Sequence, residues 1–427
     1  MNNLISSTFK NYPIIILVSA FTPYISPTSG IKGDNIIIYL FASLALVILI
    51  TRQKFMFNKN LTIIFVIWVS VFIFLFTRTI FGGGFISSYA LIAEIKNFSQ
   101  PVAIMFIFLV MFFREKFEYI DLLLKRASIV LIFLLNINTI WIFLGMSFDL
   151  LNINQYFVRE VALKAAGNNR FSGFFNQPME AGIAYSVGLF SWMYLVSKKH
   201  INVKMKYVIM LALIFVGGIV SVSKIFIFGG IGIFFLNLIF RKNFLKKSKN
   251  LFLWIPIIIP ISVTYLSNNW QGGSYFNRLF MFENIKEQGF INLITAGRFG
   301  GESSQQKKLM GMIWESSPFI GQGMGSQKIY DSAFFHFFSS GGLIALSMYI
   351  LVIFYLIVIS LNFFIYNYIR EEAVYFFNIV AIIILASFGS PILTINRASV
   401  IIWVFVALLL LYINKRKSLE ENFKSNF

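Results

Sequence analysis

Apolar residues run along this chain in long unbroken blocks, not in alternation with polar ones. The blocks lie near 13–26, 34–50, 61–77, 89–113, 127–145, 178–197, 207–222, 224–240, 250–267, 334–360, 374–389 and 398–414. Crossing about 30 Å of hydrocarbon takes roughly 20 apolar helical residues, and backbone groups in lipid must be bonded within their own segment. The blocks therefore predict about twelve transmembrane helices. The alternating signature of a membrane β-barrel is absent. The expected fold is an all-α integral membrane protein, residues 1–427 forming a single polytopic domain with no soluble domain attached. The first block follows Lys10 without a small-residue cleavage site, which predicts a retained helix.

The segments between blocks sort by charge. Lys10, Arg52, Lys54, Lys59, Arg114, Lys116, Lys125 and Arg126 fall on one side. So do Lys198, Lys199, Lys204, Lys206, the run from Arg241 to Lys249, Arg370, and Lys415 to Lys417. The positive-inside rule makes that side the cytoplasm and puts both termini there. The other side carries two long loops, about 146–177 and 267–334. Long loops in a membrane bundle are usually functional or folded on themselves. The second opens the main polar stretch of the chain, from Gly297 to Tyr349.

Composition agrees with the blocks: 58% of the 427 residues are hydrophobic and 12% charged, with mean hydropathy +0.78. The net charge of +19 then reflects membrane topology and attraction to anionic lipid, not a nucleic-acid footprint. Cysteine is absent and histidine occurs twice, which leaves no thiol nucleophile and argues against a zinc site. The four aspartates stand at 34, 121, 149 and 331, so no paired-carboxylate motif can hold a nucleotide sugar through a metal. No phosphate-loop motif occurs. No cofactor and no metal are expected.

What remains is a set of outward cations: Arg159, Lys164, Arg170, Lys224, Arg278, Arg298, Lys307, Lys308 and Arg397. Guanidinium forks bind phosphate bidentately, which suits a lipid-linked diphosphate, although outer loops also carry solvated cations of no special role. Lys224, between two apolar blocks, is costly without a function. Glu180 sits at a helix start, where the dipole alone favours a carboxylate. The glycines at 321, 323 and 325 could bring amides to a phosphate or simply turn the loop onto the next helix.

Three patches resemble the O-antigen polymerase and O-antigen ligase superfamily. They are Arg170-Phe-Ser-Gly173 with Gln177-Pro178 and Ala181-Gly182; Ser221-Val-Ser223-Lys224; and Gly297-Arg298, Trp314, Pro318, the 321–325 glycines, Asp331-Ser332, His336 and Gly341-Gly342-Leu343. Lys224 stands where that family usually has arginine. The resemblance implies a C-type glycosyltransferase architecture with a large periplasmic loop in a bacterial inner membrane. It further implies an enzyme that transfers a glycan from an undecaprenyl-diphosphate-linked donor to a lipid-linked acceptor, without nucleotide or metal. In that reading Arg170, Lys224 and Arg298, with Arg278 and Arg397 behind them, hold the diphosphate. His336 or Asp331 serves as base. A chain-length regulator is a further partner the family admits. Polymerase and ligase both fit, and the departures from the ligase pattern favour polymerase. A flippase would show mid-membrane interruptions in matched halves, which are not evident, and a scaffold would carry a large external domain.

Overall fold

A computed structural model of the chain describes residues 11–25, 32–52, 58–82, 84–112, 116–148, 153, 156–158, 160–167, 170–201, 204–240, 305–326 and 332–425. The protein is nearly all helical. In chain order the helices are α1 (Tyr12–Ser19), α2 (Gly33–Arg52), α3 (Lys59–Ile80), α4 (Ser88–Met111), α5 (Phe117–Ser147), α6 (Glu160–Gly167), α7 (Pro178–Ser197) and α8 (Met205–Val220). A π-helical segment, Ile225–Ile231, leads into α9 (Gly232–Phe240). Then follow α10 (Gln305–Ser316), α11 (Ala333–Phe363), α12 (Arg370–Ser387) and α13 (Asn396–Ser425). Six of them, α2, α3, α4, α5, α11 and α13, are long and apolar enough to cross a membrane, and α8 and the 225–240 segment are shorter apolar helices. This is a membrane protein with several spans. The expected block at 250–267 lies outside the described residues.

Helix α7 is the axis of the bundle. It is buried along almost its whole length. Part of the reason is in its sequence: Ala181, Gly182, Ala184, Ser186, Gly188 and Ser191 let neighbours approach closely, as small residues do between helices in lipid, while Ile183, Val187, Phe190 and Tyr194 pack another face. A Cβ on Gly182 would overlap Ser223, and one on Gly188 would overlap the Leu135 side chain of α5. On another face Ser191 shares a hydrogen bond of 2.6 Å with Tyr375 of α12.

Two helices differ informatively from their apolar blocks. Helix α1 stops at Ser19, earlier than the block to residue 26 predicts, because Pro23 excludes the preceding residue from helical geometry. Helix α13 runs beyond its apolar block, its polar tail carrying the i,i+4 pairs Arg416–Glu420 (3.1 Å) and Lys417–Glu421 (3.7 Å).

Helix α11 breaks at Gly341 and Gly342, where φ/ψ reach −139°/17° and 61°/−156°. The second pair belongs to a region that essentially only glycine occupies. A broken helix strands backbone groups, and here the Pro318–Gly323 segment meets them. Gln322 and Gly323 amides donate to the Ser339 and Ser340 carbonyls at 2.9 Å, while Leu343 and Ile344 amides donate to Pro318 and Phe319 carbonyls at 2.8 and 3.2 Å. The same segment is held from the other side by Arg78 Nε on the Gly321 carbonyl (3.0 Å). Positive φ at Gly321, Gly323 and Gly325 lets it fold back this tightly.

Candidate functional site

The first turn of α7 gathers most of the described candidate residues. Just upstream, Arg170 Nη2 donates to the Val222 carbonyl at 3.3 Å, and the Phe171 amide donates to the Val220 carbonyl at 3.2 Å. These bonds fasten the Arg170–Gly173 patch to the Ser221–Lys224 turn. Val222 in that turn has φ 47°, unusual for a β-branched residue, and Lys224 caps the start of the π-helical segment. π-Helical turns recur at functional positions. Gly182 packs directly on Ser223, so the Arg170–Gly173 patch and the Ser221–Lys224 turn both lie beside the N-terminal part of α7.

Glu180, on the same turn of α7 and fully buried, faces a second pair of cations, Lys32 and Arg397. Arg397 is 0% exposed and donates through Nη2 to the Thr22 carbonyl at 2.7 Å. Lys32 is 1% exposed, with Nζ 5.2 Å from the Tyr24 ring, and Tyr24 in turn donates to Asn176 Oδ1 at 3.0 Å. Asp34 completes the group, its Oδ1 accepting from the Asn35 amide at 2.8 Å. Lys32 Nζ and Arg397 Nε and Nη1 are shielded from water and have no hydrogen-bond acceptor among the described residues. Buried N–H donors in that condition are costly unless an anion or a carbonyl meets them.

Burial pulls the Lys32 amine down to about 7, with Arg397 and Lys96 adding to the effect and Asp34 and Glu180 opposing it. Between that value and its ordinary 10.5 the unfolded chain holds a proton that the folded chain has released, so folding stability rises with pH across this window. The melting temperature of the purified protein is therefore expected to climb from pH 7 to 9.5. A Lys32→Met variant should show a flatter profile; an identical slope in both proteins would show that Lys32 is not the titrating group.

His336 belongs to a different cluster. Its ring stacks on Phe98 at 5.2 Å and meets Phe337 edge-on at 5.7 Å, and Nδ1 lies 4.0 Å from Glu94 Oε1. Glu94 Oε2 accepts from the Gly325 amide at 2.8 Å. Next to it the Met324 amide donates to Thr79 Oγ1 at 2.8 Å. The four successive amides from Gln322 to Gly325 thus all have intramolecular acceptors. The glycine run is a clasp onto α11 and α4, not a phosphate cradle.

No family model, characterised protein or solved structure matches this chain. The site is therefore argued from its own geometry.

Arg170 and the turn that carries Lys224 lie at the Gly182 face of α7 and Arg397 lies near Glu180 on another face, while His336 is held among Phe98, Phe337 and Glu94. Asp331, Arg278 and Arg298 lie outside the described residues, as do most of the loop 267–334 and Arg159. Sequence reasoning missed Lys32, Asp34, Glu94 and Lys96. Glu94 and Lys96 carried a usable signal, since charged residues inside an apolar block are expensive and mark function. Lys32 and Asp34 flank a helix start and gave none.

Proposed function

We propose that the protein is a polysaccharide polymerase of the O-antigen polymerase and ligase type, a multi-pass enzyme of C-type glycosyltransferase architecture with about twelve spans in a bacterial inner membrane. Both termini lie in the cytoplasm and the long loops in the periplasm. The observation that carries this reading is the burial of Lys32 and Arg397 beside Glu180 at the start of α7, with Arg170 bonded to the Val222 carbonyl of the turn that packs on Gly182, on another face of the same helix. Arginine forks suit the pyrophosphate of a carrier lipid, and the buried N–H groups of Lys32 and Arg397 that have no acceptor among the described residues are of the type an anionic oxygen would satisfy.

The reaction follows from where charge develops. A hydroxyl of the lipid-linked acceptor attacks the reducing-end carbon of the glycan, forming a new C–O bond as the bond to the carrier diphosphate breaks. The electron pair leaves with the diphosphate, and the cations stabilise it. One positioned donor of this kind is worth roughly 3 kcal/mol in the transition state. The hydroxyl proton passes to a base, His336 with Glu94 beside its Nδ1 or, failing that, Asp331. Undecaprenyl-diphosphate-linked repeats serve as donor and acceptor.

The test is purified protein with lipid-linked repeat units, no nucleotide and no metal, resolved for a product ladder. Arg298→Ala and Arg170→Ala are each expected to lower ladder formation at least a hundredfold at normal protein abundance. Polymerisation that survives both substitutions removes the diphosphate site from this place. Activity retained in His336→Ala moves the base to Asp331. Transfer to a lipid A core acceptor in preference to a second repeat would make the enzyme a ligase, and movement of the repeat across a vesicle without bond formation would make it a flippase.

A further inference from the structure

The opposite end of the bundle holds a cavity of about 780 Å³ between the start of α3, the end of α11 and the polar tail of α13. Its polar side is a chain of amides. Asn414 Nδ2 donates to Asn58 Oδ1 at 2.6 Å, Asn60 Nδ2 donates to Asn414 Oδ1 at 3.4 Å, and Tyr355 OH donates to Asn60 Oδ1 at 3.1 Å. Asn58 also caps α3 by accepting from the Leu61 amide at 3.2 Å. This network ties three helices together and fixes the shape of the cavity.

Three cations line the cavity, Lys59, Lys415 and Lys417, and no lining residue is a carboxylate, although Lys417 keeps its exposed i,i+4 partner Glu421 at 3.7 Å. Lys417 Nζ lies 4.9 Å from the Tyr366 ring, so an aromatic face steadies it beside the cavity. The remaining wall is mostly apolar, from Ile63 of α3 and Ile359 and Phe363 of α11, with Asn362 and Ser418 as its polar members. Lysines beside a hydrocarbon-lined hollow at a membrane surface match an amphiphile whose head is anionic and whose first carbons are not. The volume falls within the range of small-molecule sites.

We propose that this cavity is a binding site for the phosphodiester headgroup of an anionic phospholipid, seated on Lys59, Lys415 and Lys417, with the glycerol region against Ile63 and Phe363. It is independent of the transferase reading, since it shares no residue with the α7 site.

The experiment uses the full-length protein, purified in detergent and exposed to mixed micelles carrying phosphatidylglycerol or phosphatidylcholine, with retained lipid counted by native mass spectrometry. The wild-type protein is expected to retain phosphatidylglycerol over phosphatidylcholine. The triple variant Lys59→Gln/Lys415→Gln/Lys417→Gln should retain it at least about tenfold less. The control Lys204→Gln/Lys206→Gln, which removes two lysines from the same end of the bundle but outside the cavity, should behave as wild type. Equal loss in the control, or no loss in the triple variant, overturns the proposal. So does displacement of the lipid by millimolar inorganic phosphate or a soluble phosphomonoester, which would make the site one for a free phosphate. A triple variant with an unchanged melting temperature in lipid-free detergent shows that loss of lipid is not loss of fold.

Discussion

Gly342→Ala is expected to destabilise the protein by about 2–5 kcal/mol, seen as a drop of several degrees in melting temperature. Two costs add. At φ 61° and ψ −156° an alanine occupies backbone space that L-residues avoid. Its Cβ would also overlap the Phe319 backbone, which cannot move without breaking the Ile344–Phe319 and Leu343–Pro318 hydrogen bonds. Gly232→Ala is the matched control, because a Cβ there meets nothing within 4 Å and the backbone is already helical. That variant is expected to be neutral or more stable by up to about 1 kcal/mol. Equal melting temperatures for Gly342→Ala and wild type would mean that the clasp does not brace α11.

Arg397→Ala should cost about 3–5 kcal/mol, the usual consequence of removing one member of a buried charged group. Asp34 and Glu180 would keep their burial and lose the larger of their two cations, and the Thr22 carbonyl would lose its 2.7 Å donor. Arg397→Lys separates fold from chemistry. A lysine restores the charge, and with it most of the melting temperature, without the planar fork that grips phosphate oxygens in pairs. Recovered stability with a depleted product ladder assigns Arg397 to the substrate. Full recovery of both assigns it to the scaffold alone, and failure to recover either shows that guanidinium geometry is needed for the fold.

The long helices were legible in the sequence because lipid imposes one rule on every residue of a span. The block at 178–197 coincides with α7, and those at 61–77 and 334–360 lie within α3 and α11. Interactions at a distance were not legible. Nothing near residue 342 announces that residues 318–323 complete a broken helix, although both glycine groups stood out individually. Nothing in the sequence singles out Lys32, Asp34 only begins an apolar block, and their burial beside Arg397 depends on a contact across more than 360 positions. Arg170 and Lys224 were recognisable singly, while the bond of Arg170 to the Val222 carbonyl and the packing of the Ser221–Lys224 turn on Gly182 are contacts at a distance.

The burial of α7 also bears on how this molecule can move. Carriers that expose a site alternately to two compartments need a seam along which two groups of helices part. Here α7 is buried along almost its whole length, through small residues such as Gly182 and Gly188 and large ones such as Tyr185, Phe190 and Trp192, all of which parting would strip of their neighbours. Opening such a seam would forfeit the close packing that holds the bundle, with no water-soluble surface beneath to receive it.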